Sequence, residues 1–433
     1  MLRIVYASSI VVLTATAWAF ESYVYTYIVI VGVLVFQVLA FKNITHRLLA
    51  GIFLVYLAIA LLNVSTYRNN ISVETANIYL VAVACIFIPL ILVSGVSRHD
   101  DYELQPSNLT NLLIAGHLAI AWIALVYVYV RFGVVVVQQD ERFGIPTALG
   151  YAIRSAQFVP AYMVICRSFR DFPLGFWTTA MLSISPSILI ASRSTAVLAV
   201  LAIVIIVLAL NSYQWSRPTF TSSLSSNVRL STPVVLSVLV AISFAFIGGG
   251  FYIRRAYSSG LMDGSQYVEQ YLDSMPRPVA YIIAPFQQGF NETTALTSRV
   301  VDYGITNNFT DVPLLWADFA NLLGTDDTAA AQYFGDYIGR AQAGGLTPGL
   351  VGGVLLDFPQ TYVLWFLALG VLTAALYRKS LSDRRFLCLY AIFLTQLVHL
   401  LQRGFLKPEY ITILIITAIY LATLQRVARD ETN

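Results

Sequence analysis

The stretch PSILIASRSTAVLAVL, residues 186–201, contains Arg193, the only charged residue of the run 174–210. A helix needs about 20 apolar residues to cross the hydrocarbon core of a bilayer. The run is long enough for two such helices joined by the tight turn Ser192–Arg193–Ser194. Reading it as a pair of spans decides the fold class. The rest of the chain agrees. Of 433 residues, 58% are hydrophobic and only 11% charged, against about 25% charged in soluble domains. An integral membrane protein with little soluble mass is expected.

Twelve candidate spans follow, at 4–20, 22–41, 47–65, 76–96, 109–131, 147–166, 174–191, 194–210, 233–252, 354–377, 385–402 and 409–425. The N-terminal MLRIVYASSIVVLTATAWAF shares the shape of a signal peptide. A second apolar run starts at Ser22, so the first is read as a retained helix. Lys and Arg in short loops set orientation. Arg3, Lys42, Arg47, Arg98, Arg167, Arg170, Arg217, Arg229, Arg378, Lys379, Arg384, Arg385, Arg426 and Arg429 share one side if both termini are cytoplasmic. Three regions result: spans one to nine in 1–252, an extracytoplasmic segment 253–353, and spans ten to twelve with the C-terminus in 354–433.

The segment 253–353 is too long for a structureless loop. Stretches such as PLLWADFANLLG and DTAAAQYFGDYIG have helical patterns, with Ala330, Phe334, Tyr337 and Ile338 on one face. Prolines 276, 278, 285, 313 and 348 punctuate it. A cap of short helices is expected. It carries five Arg against ten Asp/Glu and many aromatics, among them Tyr257, Tyr267, Tyr271, Tyr281, Trp316, Tyr333 and Tyr337. Aromatic faces and carboxylates suit sugar rings and hydroxyls, although a solvated acidic surface over an aromatic core explains most of these residues. No internal repeat is visible.

Of the 26 basic residues, 23 are Arg. Arg makes planar, bidentate contacts to phosphate and carboxylate. Arg131, Arg154, Arg193, Arg254, Arg255 and Arg403 all fall at the expected outer interface. A charge at membrane depth is a functional hypothesis by default; the bland alternative is snorkelling to headgroups, which suits Arg131. Several guanidiniums at one depth suit a lipid-linked diphosphate and would stabilise it as a leaving group. His399 and Arg403 are spaced i, i+4 on one helix face. His399, Asp302, Asp318 and Asp336 are candidate general bases. The net charge of +3 gives no reason to expect a nucleic-acid partner. No cofactor is expected: no Gly-rich phosphate loop, HExxH or CxxC occurs, and Cys85, Cys166 and Cys388 lie in separate apolar runs.

Four stretches resemble the Wzy-type oligosaccharide repeat-unit polymerases, the O-antigen and enterobacterial common antigen polymerase group. ASRSTAVLAVLAIVIIV (191–207) is similar to their Arg-bearing span start, and GGFYIRRAYSSG (249–260) to the basic exit into the large external loop. AAQYFGDYIGRAQAGGLTPGLVGGVLLDFP (330–359) is similar to the end of that loop, marked by Thr347, Pro348 and Gly352. LLQRGF (400–405) is similar to the Arg-Gly after a late span.

The resemblance implies a metal-independent glycosyltransferase related to lipid-using, GT-C-like membrane enzymes. It would act at the outer leaflet of a bacterial cytoplasmic membrane. It implies polyprenyl-diphosphate-linked glycans as substrates, with a flippase and a chain-length regulator as pathway partners. Arg193, Arg254, Arg255, Arg403 and His399 are then the catalytic candidates; Arg154, Arg340, Asp302, Asp318, Asp336 and Thr347 are the substrate-binding ones. The loop arginines lack a repeated Arg-to-Gly spacing, so paired donor and acceptor loops are not implied. Two rivals remain. A ligase would share the chemistry, but ligases tend to carry a loop His, and none lies in 253–353. A flippase or exporter would spread charge through the midplane and need only short loops.

Overall fold

The computed structural model describes residues 2–41, 43–62, 71–93, 102–133, 147–166, 173–190, 193–212, 248–253, 255–256, 263–271, 275–308, 310–322, 330–337 and 347–428. The protein is an all-α membrane protein. Among the described residues, six helices are long and apolar enough to cross a bilayer. These are α1 (Leu2–Phe20), α2 (Tyr23–Ala40), α4 (Val73–Leu92), α5 (Asn108–Phe132), α16 (Tyr362–Ser380) and α17 (Arg384–Arg403). Shorter apolar helices include α3 (Ile44–Ala60) and α18 (Pro408–Thr423); α8 (Pro173–Leu189) and α9 (Arg193–Ser212), apolar over Val197–Leu210, occupy the run 174–210. The expected ninth span, 233–252, lies largely outside the described residues, so a count of twelve stays an expectation.

Lipid offers no hydrogen bonds, so helix ends must be satisfied from within the chain. Ser22, Asn43 and Ser72 accept backbone N–H bonds as N-caps. Ser107 and Thr110 form a reciprocal capping box at α5. Apolar side chains such as Leu112, Ile120, Ile123 and Val130 stand exposed on α5, as a lipid-facing helix requires.

Two expected spans differ in the structure. The stretch 147–166 is broken into α6 (Thr147–Ala156) and α7 (Val159–Val164). Pro160 has no N–H to give Ala156, which interrupts the ladder. Phe158 N bonds Ser155 O at 3.3 Å and Ala161 N bonds Phe158 O at 3.0 Å, both tight three-residue turns. The stretch 354–377 is also divided. Its first residues belong to α15 (Gly349–Asp357), and α16 starts only at Tyr362, after Pro359. The boundary at 353/354 therefore falls inside a helix.

Within 253–353 the structure shows the expected short helices. They are α10 (Gly264–Tyr271), α11 (Arg277–Phe286), a π-helical turn (Gln287–Asn291), α12 (Glu292–Asp302), α13 (Leu314–Leu322) and α14 (Ala330–Tyr337). One feature was not expected: β1 (Tyr102–Gln105) pairs antiparallel with β2 (Gln425–Ala428) directly after α18.

The chain packs as two compact units, each drawn from separated stretches. The first comprises 1–94, 262–378 and 396–408; the second comprises 95–261, 379–395 and 409–433. In the first unit, Arg3 Nη1 donates to Val93 O at 2.5 Å, joining the start of α1 to the end of α4. At the end of α3, Asn291 Nδ2 donates to Ala60 O at 3.0 Å, and at the start of α4, Ser72 N donates to Ser298 Oγ at 3.0 Å. In the second unit, Thr110 Oγ1 donates to Thr423 O at 3.1 Å. Tyr129 OH donates to Leu189 O at 2.8 Å. Within each unit, ends assigned to one side of the membrane meet one another.

Asp357 fixes the start of α13. Its two oxygens accept from Leu314 N at 2.8 Å and Leu315 N at 2.6 Å, and Asn307 Nδ2 adds a bond at 2.9 Å. Burial pushes this carboxyl above its ordinary range, against the opposing pull of those three donors. Asp357→Ala should cost about 1–2 kcal/mol through loss of the cap. A thermal midpoint measured in detergent reads this directly; an unchanged midpoint would remove Asp357 from the support of α13.

Candidate functional site

In the first unit, two of the resembling stretches meet. Gly404 follows α17 with φ +80°, and its N–H bonds Leu400 O at 2.8 Å, an αL helix stop. Gly349 opens α15 with φ +67°. A Cβ on Gly404 would lie 2.5 Å from Gly349 O, and one on Gly353 would lie 2.7 Å from Gly404 O. The backbones touch because neither side has a Cβ. Around this crossing, Thr347 Oγ1 and Thr293 Oγ1 both donate to Gln402 O, at 3.2 and 3.3 Å. Thr297 Oγ1 donates to Pro348 O at 2.5 Å, and Tyr56 OH donates to Leu401 O at 3.2 Å. The end of α17, bearing Arg403 and the buried His399, is thus clamped against the hydroxyl face of α12.

The other expected residues fall as follows. Asp302 is exposed and accepts from Ser298 Oγ at 3.1 Å. Asp318 accepts from Ala330 N at 2.9 Å, so it anchors the start of α14. Asp336 is exposed on α14. Arg193 is the first residue of α9. Arg255 is buried, with its guanidinium 4.9 Å from the Phe251 ring centroid, a cation–π distance. Arg254 and Arg340 lie outside the described residues.

In the second unit, Arg154 of α6 forms an ion pair with Glu409, Nη1 to Oε2 at 2.8 Å. Glu409 is 2% exposed and Arg154 24%. The Arg154 guanidinium therefore has a carboxylate partner, which the sequence reading did not assign. Next to it in sequence, Ser155 Oγ meets His117 Nε2 at 2.8 Å, and His117 Nδ1 meets Tyr420 OH at 2.9 Å. Tyr162 OH and Thr417 Oγ1 are 3.0 Å apart. Helices α5, α6, α7 and α18 are tied by this chain of polar contacts.

The chain matches no family model, no curated protein and no solved structure.

Sequence reasoning missed Glu409, Gln157 and the His117 network. Glu409 had a signal: it is the only acidic residue between Asp383 and Asp430 and opens an apolar span. Gln157 had one too, three residues before Pro160 inside an expected span. Among the described residues, no group of three His, Cys, Asp or Glu is placed to share a metal ion.

Proposed function

We propose that the protein polymerises lipid-linked oligosaccharide repeat units at the outer leaflet of a bacterial cytoplasmic membrane, with both termini cytoplasmic. An acceptor hydroxyl attacks the donor's anomeric carbon. The new C–O bond forms as the bond to the diphosphate oxygen breaks. The polyprenyl diphosphate leaves with the electron pair, and the hydroxyl proton passes to a base. Guanidiniums stabilise the charge developing on the leaving group. Arg193, Arg254, Arg255 and Arg403 are each a candidate for that role, and His399 is a candidate base on the Arg403 face of α17.

The observation that supports this reading is the Gly349–Gly404 crossing. Two stretches that separately resemble the polymerase group, 330–359 and 400–405, are in backbone contact there. A second reading, export of lipid-linked glycan, is favoured by the broken α6–α7 helix and the polar chain through the second unit.

Polymerisation in proteoliposomes separates the two. Purified protein is given a lipid-linked repeat unit in EDTA, and products are resolved on a gel. A ladder from the wild type, lost in a folded Arg193→Lys variant, is expected. Movement of the lipid across the bilayer without any ladder would replace the polymerase with the exporter.

A further inference from the structure

Arg154 is only partly used by its partner. Its ion pair with Glu409 engages Nη1. A guanidinium's Nε and Nη2 form a separate fork whose geometry matches two oxygens of a phosphate. Nε of Arg154 is buried with no hydrogen-bond partner among the described residues. Gly150, one turn earlier, lies against this same edge: a Cβ there would sit 3.3 Å from Nη2 and 4.0 Å from Nε. Glycine at 150 leaves room for this edge, which a Cβ would crowd at Nη2.

Gln157 carries a second unmet demand. It is 0% exposed, and neither its Nε2 nor its Oε1 has a hydrogen-bond partner among the described residues. It lies three residues beyond Arg154, in the turn between α6 and α7. A buried amide left unbonded is costly, and each such group calls for a ligand or an ordered water. Three unsatisfied atoms on one turn, two of them donors, fit an incoming oxyanion.

We infer that Arg154 and Gln157 form an oxyanion site in the second unit. Glu409 holds the guanidinium by Nη1, and the Nε–Nη2 edge takes a phosphate of a lipid-linked diphosphate. Gln157 Nε2 donates to a further oxygen. The oxyanion enters from the exposed side of Arg154, which is 24% exposed. Glu409 remains the counter-ion, so the site binds phosphate without stranding its own carboxylate. The proposed function enters here only through the choice of a lipid diphosphate as ligand.

The test uses the full-length protein in detergent, with farnesyl diphosphate as probe and phosphatidylglycerol as the competing source of lipid phosphate. Binding is read by calorimetry and thermal midpoint. Arg154→Lys keeps the charge and removes the fork; a loss of affinity of about tenfold or more is expected. Gln157→Leu should weaken binding while raising the midpoint without ligand, because it removes an unsatisfied buried amide. That opposite pair of signs is not produced by a purely structural glutamine. Wild-type affinity in both variants would overturn the site. So would a loss confined to phosphatidylglycerol, which would make it a headgroup anchor.

The polymer ladder fails or succeeds separately. Diphosphate binding through Arg154 with no polymer would keep the site and end the polymerase reading. Normal polymerisation by Arg154→Lys with unchanged binding would end the site alone.

Discussion

Gly404→Ala should destabilise the first unit by about 2–5 kcal/mol. Two independent terms add. A Cβ at φ +80° costs about 1–2 kcal/mol in the left-handed region. The new methyl would also meet Gly349 O at 2.5 Å, C at 2.7 Å and N at 2.9 Å. All three atoms are backbone, so no rotamer change relieves the contact, and overpacking adds about 1–3 kcal/mol. The total approaches the whole stability of an ordinary domain. Poor recovery from detergent, or a midpoint many degrees lower, is the expected reading. Gly116→Ala is the control: nothing lies within 4 Å of that position on α5, and alanine favours helix over glycine. Wild-type behaviour of Gly404→Ala would show that the 349–404 crossing is not held as described.

The second large effect concerns the ion pair in the second unit. Removing one partner of a buried pair leaves an uncompensated charge and costs about 3–5 kcal/mol. The two single variants should not be equal. Arg154→Met strands a carboxylate that is 2% exposed, whereas Glu409→Leu strands a guanidinium that is 24% exposed. Arg154→Met is therefore expected to be the worse of the two. The double variant Arg154→Met/Glu409→Leu should recover most of the loss, since replacing a buried pair with apolar groups is often near neutral. Its midpoint should approach the wild type. A double variant as unstable as the worse single one would mean that the two residues act separately.

These two sites show how differently the sequence exposes its own chemistry. Arg154 was legible, because a guanidinium inside an apolar span is rare and costly. Its partner was not, because Glu409 is 255 residues away and sits at a span boundary where an acid needs no special explanation. Gly404 could be read as a helix stop from its place after Arg403, yet nothing in LLQRGF indicates which backbone presses against it. Asp318 shows a contact that residue type did not reveal. Its residue type suits a general base, but its carboxylate is bonded to the first N–H of α14. Residue type gives the chemistry a side chain can do, while the partner it has already taken gives what remains free.

Composition alone determined that this is a helical membrane protein, since an apolar run beyond the length of a span has no other stable home and lipid forces its backbone to bond within itself. Basic residues in short loops gave the expected sidedness. Only tertiary structure decided which glycines are needed for close approach and that Arg154 is matched by Glu409. Those outcomes depend on contacts between residues from different helices, far apart in sequence, and local periodicity carries no record of them.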